Sequence, residues 1–99
     1  MKHMVTYTLR PECVAENERL AAAVYEELAR VRPPGVRYAT FRLEDGVSFL
    51  HLVSHEGVGD NPLTALPAFK AFSAGVRDRC ATPPVRTALA EIGSHGVFE

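Results

Sequence analysis

The order of elements read from this sequence (strand, helix, strand, strand, helix, strand) predicts a ferredoxin-like α+β fold. Three observations support this prediction. The pair Asp45-Gly46 separates two stretches of alternating residues and indicates a β-hairpin. The segments 14–32 and 67–80 each repeat apolar residues every three or four positions, as amphipathic helices do. Because crossovers between strands are right-handed, both helices are expected on one face of a four-stranded antiparallel sheet.

The first strand and the first helix follow from local signals. A strand is predicted from His3 to Leu9, where apolar and polar residues alternate. The first helix should run from about Val14 to Arg32, because its apolar stripe continues over this whole stretch. Pro33-Pro34-Gly35 then ends it.

Prolines delimit the second half of the chain. Asn61 is expected to cap a helix with Pro62 at its first position, and Pro67 to restart one after a short turn from Leu63 to Leu66. Pro83-Pro84 should close that helix. The last strand is therefore predicted from Val85 to about Phe98.

The hairpin decides which side chains share a face of the sheet. A two-residue type I′ turn at Asp45-Gly46 pairs Arg42 with Phe49, Thr40 with His51 and Tyr38 with Val53. One face is then apolar and is predicted to pack under the helices; it consists of Ala39, Phe41, Leu43, Leu50 and Leu52. The other face is mixed and consists of Tyr38, Thr40, Arg42, Phe49, His51 and Val53.

The mixed face predicts an assembly. On a monomer it would leave an apolar patch in water, and such patches usually mark an interface. A twofold copy of the same chain would cover it, because most homo-oligomers are C2 dimers. Two sheets packed face to face in this way make a dimeric α/β barrel, so a homodimer is expected.

Length and composition limit the function classes. The 99 residues are expected to form a single domain spanning 1–99. A net charge of -1 argues against nucleic acid or an anionic membrane as a partner. No apolar run is long enough for a membrane span or a signal peptide, so a cytoplasmic location is expected.

Several segments together resemble the antibiotic biosynthesis monooxygenase-like family. They are Val5 to Pro11, the helix carrying Glu16-Asn17-Glu18, the hairpin with Phe49-Leu50-His51, the helix Leu66 to Phe72, and Glu91 to Ser94. The resemblance implies a homodimer with a cavity between sheet and helices or inside the barrel. Some members oxidise aromatic polyketides with O2 and no cofactor, and others degrade haem. This chain has no Trp, and its second helix has no His, so haem is disfavoured and no cofactor is expected.

No catalytic residue carries over from the family, so the candidate site is read from the residues themselves. His51 is the candidate general base, because the pKa of an imidazole is near 6.5. Tyr38, Thr40, Arg42, Phe49 and Glu91 are the candidate substrate-binding residues, and Glu91 would orient His51 from the last strand. The alternative is that His51 is a hydrogen-bonded core residue. His55 shares its face, but no third ligand is apparent, so no metal site is predicted.

Two functions remain at this point. One is a cofactor-independent monooxygenase acting on a small aromatic molecule. The other is a non-catalytic dimeric binding or interaction domain whose barrel is filled by side chains. A cavity of about 300 Å³ or more, lined by His51, Arg42 and Tyr38, would favour the first.

Overall fold

The computed structural model describes residues 1–57 and 59–97, and it has the predicted ferredoxin-like α+β fold. The elements are β1 Lys2–Leu9, α1 Val14–Val31, β2 Val36–Arg42, β3 Ser48–His55, α2 Pro67–Arg79 and β4 Cys80–Leu89, with short 3-10 turns before each helix. The four strands are antiparallel in the order β2-β3-β1-β4. None of the helices in the described ranges is long and apolar enough to cross a membrane.

The hairpin has the predicted register but a different turn. Arg42 pairs with Phe49, Thr40 with His51, and Tyr38 with Val53. Among the described residues outside glycine, only Arg32 has a positive φ, so Asp45 cannot form the predicted type I′ turn. Instead a four-residue loop is closed by a hydrogen bond from Leu43 N to Ser48 O. The Asp45 carboxylate accepts hydrogen bonds from the backbone of Val47 and Ser48, and Gly46 takes the left-handed conformation at φ 79°.

The last strand differs from its prediction at both ends. β4 begins directly after α2 at Cys80, contains both prolines, and ends at Leu89. Prolines are tolerated here because β4 is an edge strand and its pairing with β1 is irregular between Thr6 and Leu9. Phe98, the predicted end of the strand, lies outside the described residues.

The predicted assignment of the two sheet faces is wrong. The mixed face packs under the helices: Phe49, His51 and Val53 are buried, and the His51 ring lies 5.5 Å from that of Phe72 on α2. The apolar face points away, and Phe41 is 48% exposed. The reason is that the helices themselves carry polar groups on their buried sides, which pair with the polar tips of the mixed face.

The outward face of the sheet exposes apolar side chains to water. Phe41, Val85 and Leu89 are exposed, and Leu50 and Leu52 are partly exposed. Their register places them on one side of neighbouring strands, with Lys2, Thr6 and Thr87 among them. We call this largely apolar surface the outer face. The exposed apolar side chains of the sheet therefore lie on the outer face and not on the mixed face.

The helices pack on the inner side of the sheet and contact each other. Glu27 of α1 accepts a hydrogen bond from the Ala68 backbone N–H at 2.9 Å and so caps the first turn of α2. The core lies between helices and sheet, and its most buried members are Leu9, Val24 and Leu63. This packing positions the cavity described next.

Candidate functional site

A cavity of about 150 Å³ lies between α2 and the sheet. Its sheet side includes Tyr7, Tyr38 and His51, and its helix side is formed by Phe69, Phe72, Ser73 and Val76. The helix wall of the cavity is therefore mainly apolar, and the sheet wall has hydroxyl and imidazole groups. A larger depression of about 540 Å³ lies beside the chain after β4, but exposed side chains form most of it. We take the smaller cavity, which His51 and Tyr38 line, as the candidate site.

His51 is held at both ring nitrogens. The Tyr7 hydroxyl lies 2.7 Å from Nε2, and the Tyr38 hydroxyl lies 2.6 Å from Nδ1. Thr40 Oγ1 lies further from Nδ1, at 3.1 Å. The strand register explains this cluster, because His51 on β3 is flanked by Val5 on β1 and Thr40 on β2, which places one tyrosine on each side.

The cluster continues into both helices. Asn17 on α1 is fully buried and donates from Nδ2 to the Tyr7 hydroxyl at 3.0 Å. Arg79, at the end of α2 and 6% exposed, donates from Nε to Asn17 Oδ1 at 3.0 Å. On the other side, the Tyr25 hydroxyl lies 2.7 Å from Thr40 Oγ1. No buried side-chain polar atom in the described part of the chain lacks a partner.

Burial controls the protonation of these groups. It lowers the pKa of His51 from 6.5 to about 4, so the imidazole is neutral at physiological pH. Burial also raises the pKa of Tyr7 to about 12, although the hydrogen bond from Asn17 acts in the opposite direction. The pKa of Tyr38 is raised as well, chiefly by burial. The site is thus a network of neutral hydroxyls around a neutral imidazole.

This imidazole is a weak base. An efficient general base has a pKa near the working pH, and burial moves His51 away from that value. Its ring nitrogens are also both engaged by tyrosines. The arrangement is better suited to orienting hydroxyl groups than to removing a proton.

Structural comparisons identify the fold that holds this site. The structure of Rv0793 from Mycobacterium tuberculosis is similar with a TM-score of 0.71 at 17% identity, over 94% of this chain and 95% of that one. A protein from Nitrosomonas europaea, provisionally named an antibiotic biosynthesis monooxygenase, has a TM-score of 0.73 at 14% identity, covering 96% and 92%. The chain has the antibiotic biosynthesis monooxygenase-like fold.

A third relative in structure is a variant of SnoaB, a cofactor-independent oxygenase from Streptomyces nogalater. Its TM-score is 0.59 at 20% identity, over 94% of this chain and 96% of that one. No protein-family model and no curated protein matches the sequence. The likeness to these monooxygenase-like structures is therefore one of fold.

The structure brings together some of the predicted site residues and separates others. Tyr38 and His51 line the cavity, and Thr40 lies beside His51. Phe49 is buried in the core, where it stacks on Tyr7 with ring centroids 5.7 Å apart. Of the predicted residues, Tyr38, Thr40 and His51 thus lie close together, and their role in a site stays a prediction.

Two predicted residues lie elsewhere. Arg42 does not line the cavity. Its Nη1 lies 2.9 Å from Glu18 Oε2 on α1, with which it forms an ion pair. Glu91 lies beyond the end of β4, where its carboxylate is 3.6 Å from Lys2 Nζ. It does not orient His51, so that part of the prediction is wrong. The cavity is also smaller than the 300 Å³ set above as favouring a ligand.

Two important residues of the site were not predicted. Asn17 lies on the apolar stripe of α1, three and seven positions before Leu20 and Val24. Arg79 lies on the apolar side of α2, three positions after Val76. A polar residue on an apolar stripe signals a buried hydrogen-bond partner. This signal was available in the sequence.

Proposed function

We propose that this protein binds a small aromatic molecule between α2 and the sheet and oxygenates it with O2 without a cofactor. The cavity carries this proposal, because Phe69 and Phe72 supply an apolar wall and Tyr38 and His51 a polar one. A benzene-sized ligand occupies an apolar cavity of about 150 Å³ in an engineered protein. The site therefore suits a single ring bearing an oxygen substituent. The likeness to SnoaB, a cofactor-independent oxygenase, supports the reaction class.

The reaction can be written for a single-ring quinol. One atom of O2 becomes a hydroxyl group on the ring, and the other leaves as water with the two hydroxyl hydrogens of the quinol. The product is a hydroxyquinone, and the quinol supplies all four electrons. In this scheme the protein orients the ring and excludes water, while Tyr38 contacts the reacting oxygen substituent.

Oxygen uptake tests the proposal. Wild-type protein is incubated with a single-ring quinol or with anthrone, and oxygen consumption and hydroxylated product are measured. His51→Ala should lower the quinol rate at least tenfold, whereas Arg42→Ala, outside the cavity, should leave it unchanged. Equal rates for wild type and His51→Ala would remove His51 from the reaction.

A non-catalytic binding domain is the second candidate. It is favoured by the completeness of the network, since the buried polar atoms of the described residues are all satisfied without a ligand. In that case quinol and anthrone would both consume no oxygen above the rate in buffer. The same assay therefore separates the two candidates.

The same proposal includes a homodimer formed through the outer face. Phe41 and Val85 are about half exposed there, and partly exposed Leu52 lies in the neighbouring row of the sheet, paired with Ala39 and Met4. Light scattering should report about twice the chain mass of 10.8 kDa. Leu52→Asp should give a folded monomer, because it would bury a charge in the interface, whereas Arg19→Asp on the exposed side of α1 should stay dimeric. A monomeric wild type would contradict this assembly.

A further inference from the structure

The guanidinium of Arg79 is buried and contacts Asn17 and Phe72. Its Nε donates to Asn17, its Nη2 donates to the Phe72 carbonyl at 2.9 Å, and its central carbon lies 5.1 Å from the centre of the Phe72 ring. Within residues 1–57 and 59–97, no carboxylate forms a salt bridge with it. Behind the cavity there is therefore a buried positive charge with no carboxylate partner among the described residues.

Arg79 also sets the direction of the hydrogen bonds. A guanidinium can only donate, so the Asn17 amide must turn its oxygen to Arg79 and its NH2 group to Tyr7. The Tyr7 hydroxyl then accepts from Asn17 and has its own hydrogen left for His51 Nε2. His51 must consequently carry its ring hydrogen on Nδ1, where it donates to Tyr38.

The opposite direction does not work. If His51 donated from Nε2, the Tyr7 hydrogen would face the Asn17 NH2 group, which offers no acceptor. Ionising Tyr7 would relieve this conflict, but burial raises the pKa of that hydroxyl to about 12. The chain of bonds is therefore one-way, from Arg79 to Tyr38.

We propose that Arg79 and Asn17 fix the direction of this hydrogen-bond chain, so that the Tyr38 hydroxyl donates its hydrogen into the cavity. The cavity then binds a single-ring phenol as its phenolate. The inference rests on the proposed ligand-binding function and names the chemical form of the ligand. The titratable groups that line the cavity are His3, Tyr7, Tyr38 and His51, and none of them is a carboxylate. A phenolate would accept a hydrogen bond from Tyr38, the last hydroxyl of a chain that begins at the Arg79 guanidinium four hydrogen bonds away. The ionised form is also the one that is rich in electrons for a reaction with O2.

The direction of the chain is tested by NMR of the histidine ring nitrogens, which distinguishes the two tautomers. Wild-type His51 should carry its hydrogen on Nδ1. Asn17→Asp should move it to Nε2, because a carboxylate beside Arg79 stays ionised, accepts from Tyr7, and so reverses each later bond. An Nε2 hydrogen in the wild type, or no change in Asn17→Asp, would overturn the proposal.

The form of the ligand is tested with para-nitrophenol, whose phenolate absorbs visible light and whose neutral phenol does not. Titration with wild-type protein should show the bound phenolate favoured over the phenol at least tenfold more than in water, as a charged hydrogen bond provides. Tyr38→Phe should abolish this preference. Tyr25→Phe, which removes a hydroxyl outside the one-way chain, should retain it. A probe that fails to bind, or that binds as the neutral phenol, overturns the inference.

These readouts stay separate from the proposed reaction. If quinol oxygenation is absent but the probe ionises and responds to Tyr38→Phe, the oxygenase proposal fails and the phenolate site stands. If quinol is oxygenated while His51 carries an Nε2 hydrogen, the one-way chain fails and the oxygenase proposal stands. Circular dichroism checks the fold of each variant, and Tyr38→Phe decides the question should Asn17→Asp not fold.

Discussion

Lowering the pH should reduce the free energy of unfolding of this protein, because His51 is buried in its neutral form. The imidazole is 3% exposed, and burial holds its pKa at about 4 in the folded chain, against 6.5 in the unfolded chain. Between these values the unfolded chain binds a proton that the folded chain does not, so protons favour unfolding. The stability is fully present above pH 6.5 and is lost as the pH falls towards 4. The difference corresponds to a loss of roughly 3 kcal/mol.

Urea denaturation at a series of pH values measures this loss. The free energy of unfolding is compared between wild type and His51→Gln at one fixed protein concentration, because a dimer would make stability depend on concentration. His51→Gln should be less stable at neutral pH but should lose much less stability on acidification. His3 provides the control, since burial lowers its pKa too, although it is less enclosed. His3→Gln should keep most of the wild-type slope.

The result that refutes this reasoning is a parallel pH dependence in wild type and His51→Gln. The imidazole would then be protonated in both states or in neither, and the cluster around it would not be closed to water. The Asp45 carboxylate does not confuse the measurement. Its hydrogen bonds from Ser48 and Val47 hold its pKa below 3.8, so its contribution is lost only at lower pH.

Three further predictions concern the same packing. Tyr7→Phe should lower the free energy of unfolding by about 3 kcal/mol, because its two buried partners, Asn17 and His51, lose their hydrogen bond, whereas Tyr25→Phe should lower it by about 1 kcal/mol. Equal losses in urea denaturation would contradict the network. Gly75→Ala should lower the free energy of unfolding by about 1 kcal/mol, because the new Cβ would lie 2.9 Å from the buried Arg79 guanidinium, although helix propensity alone predicts a gain of that size. A higher melting temperature would show that the guanidinium is not held there. Glu27→Ala should cost about 1 kcal/mol by removing the cap of α2, and hydrogen exchange should show faster opening of the first turn of that helix, whereas unchanged exchange would speak against the cap.

The register of the hairpin was predictable from sequence even though its turn was not. The pairing of Thr40 with His51 depends on the number of residues between the strands, and a four-residue loop preserves the pairing that a two-residue turn implied. What decided the loop is the Asp45 side chain, which accepts hydrogen bonds from Val47 and Ser48. Such a choice between turns depends on side-chain geometry that the Asp-Gly pair alone does not specify.

The facing of the sheet was not predictable from the hairpin alone. Counting apolar residues placed Phe41 and Leu50 inward, but both faces of this sheet contain enough apolar surface to be covered. The decision lies in the helices, where Asn17 and Arg79 occupy buried positions and need polar partners. Arg79 finds its partners on the helices, in Asn17 and the Phe72 carbonyl, whereas the Asn17 amide donates to Tyr7, which lies on the same side of the sheet as His51. A test of both faces against the polar residues on the helix stripes would have given the right answer.

The placement of β4 failed for a related reason. Prolines are disfavoured in a central strand, and Pro83-Pro84 was expected to close the second helix, with the last strand beginning after it at Val85. On an edge, however, a proline loses no hydrogen bond if its missing N–H would have faced outward. Knowledge of the strand order β2-β3-β1-β4 removes the objection, and that order follows from the topology already predicted.

Exchanging the two faces divides the functions between them. The polar side chains that were expected at an interface lie between the sheet and the helices of the chain itself, where His51 and Tyr38 line the cavity. The outer face, led by Phe41, carries no comparable polar network and is suited to contact with an apolar surface of the same kind. Ligand binding and self-association should therefore respond to different substitutions. Leu52→Asp should separate the subunits and leave the ionisation of a bound phenol unchanged, whereas Tyr38→Phe should do the opposite; loss of both properties in either variant would mean that the two faces are coupled through the sheet.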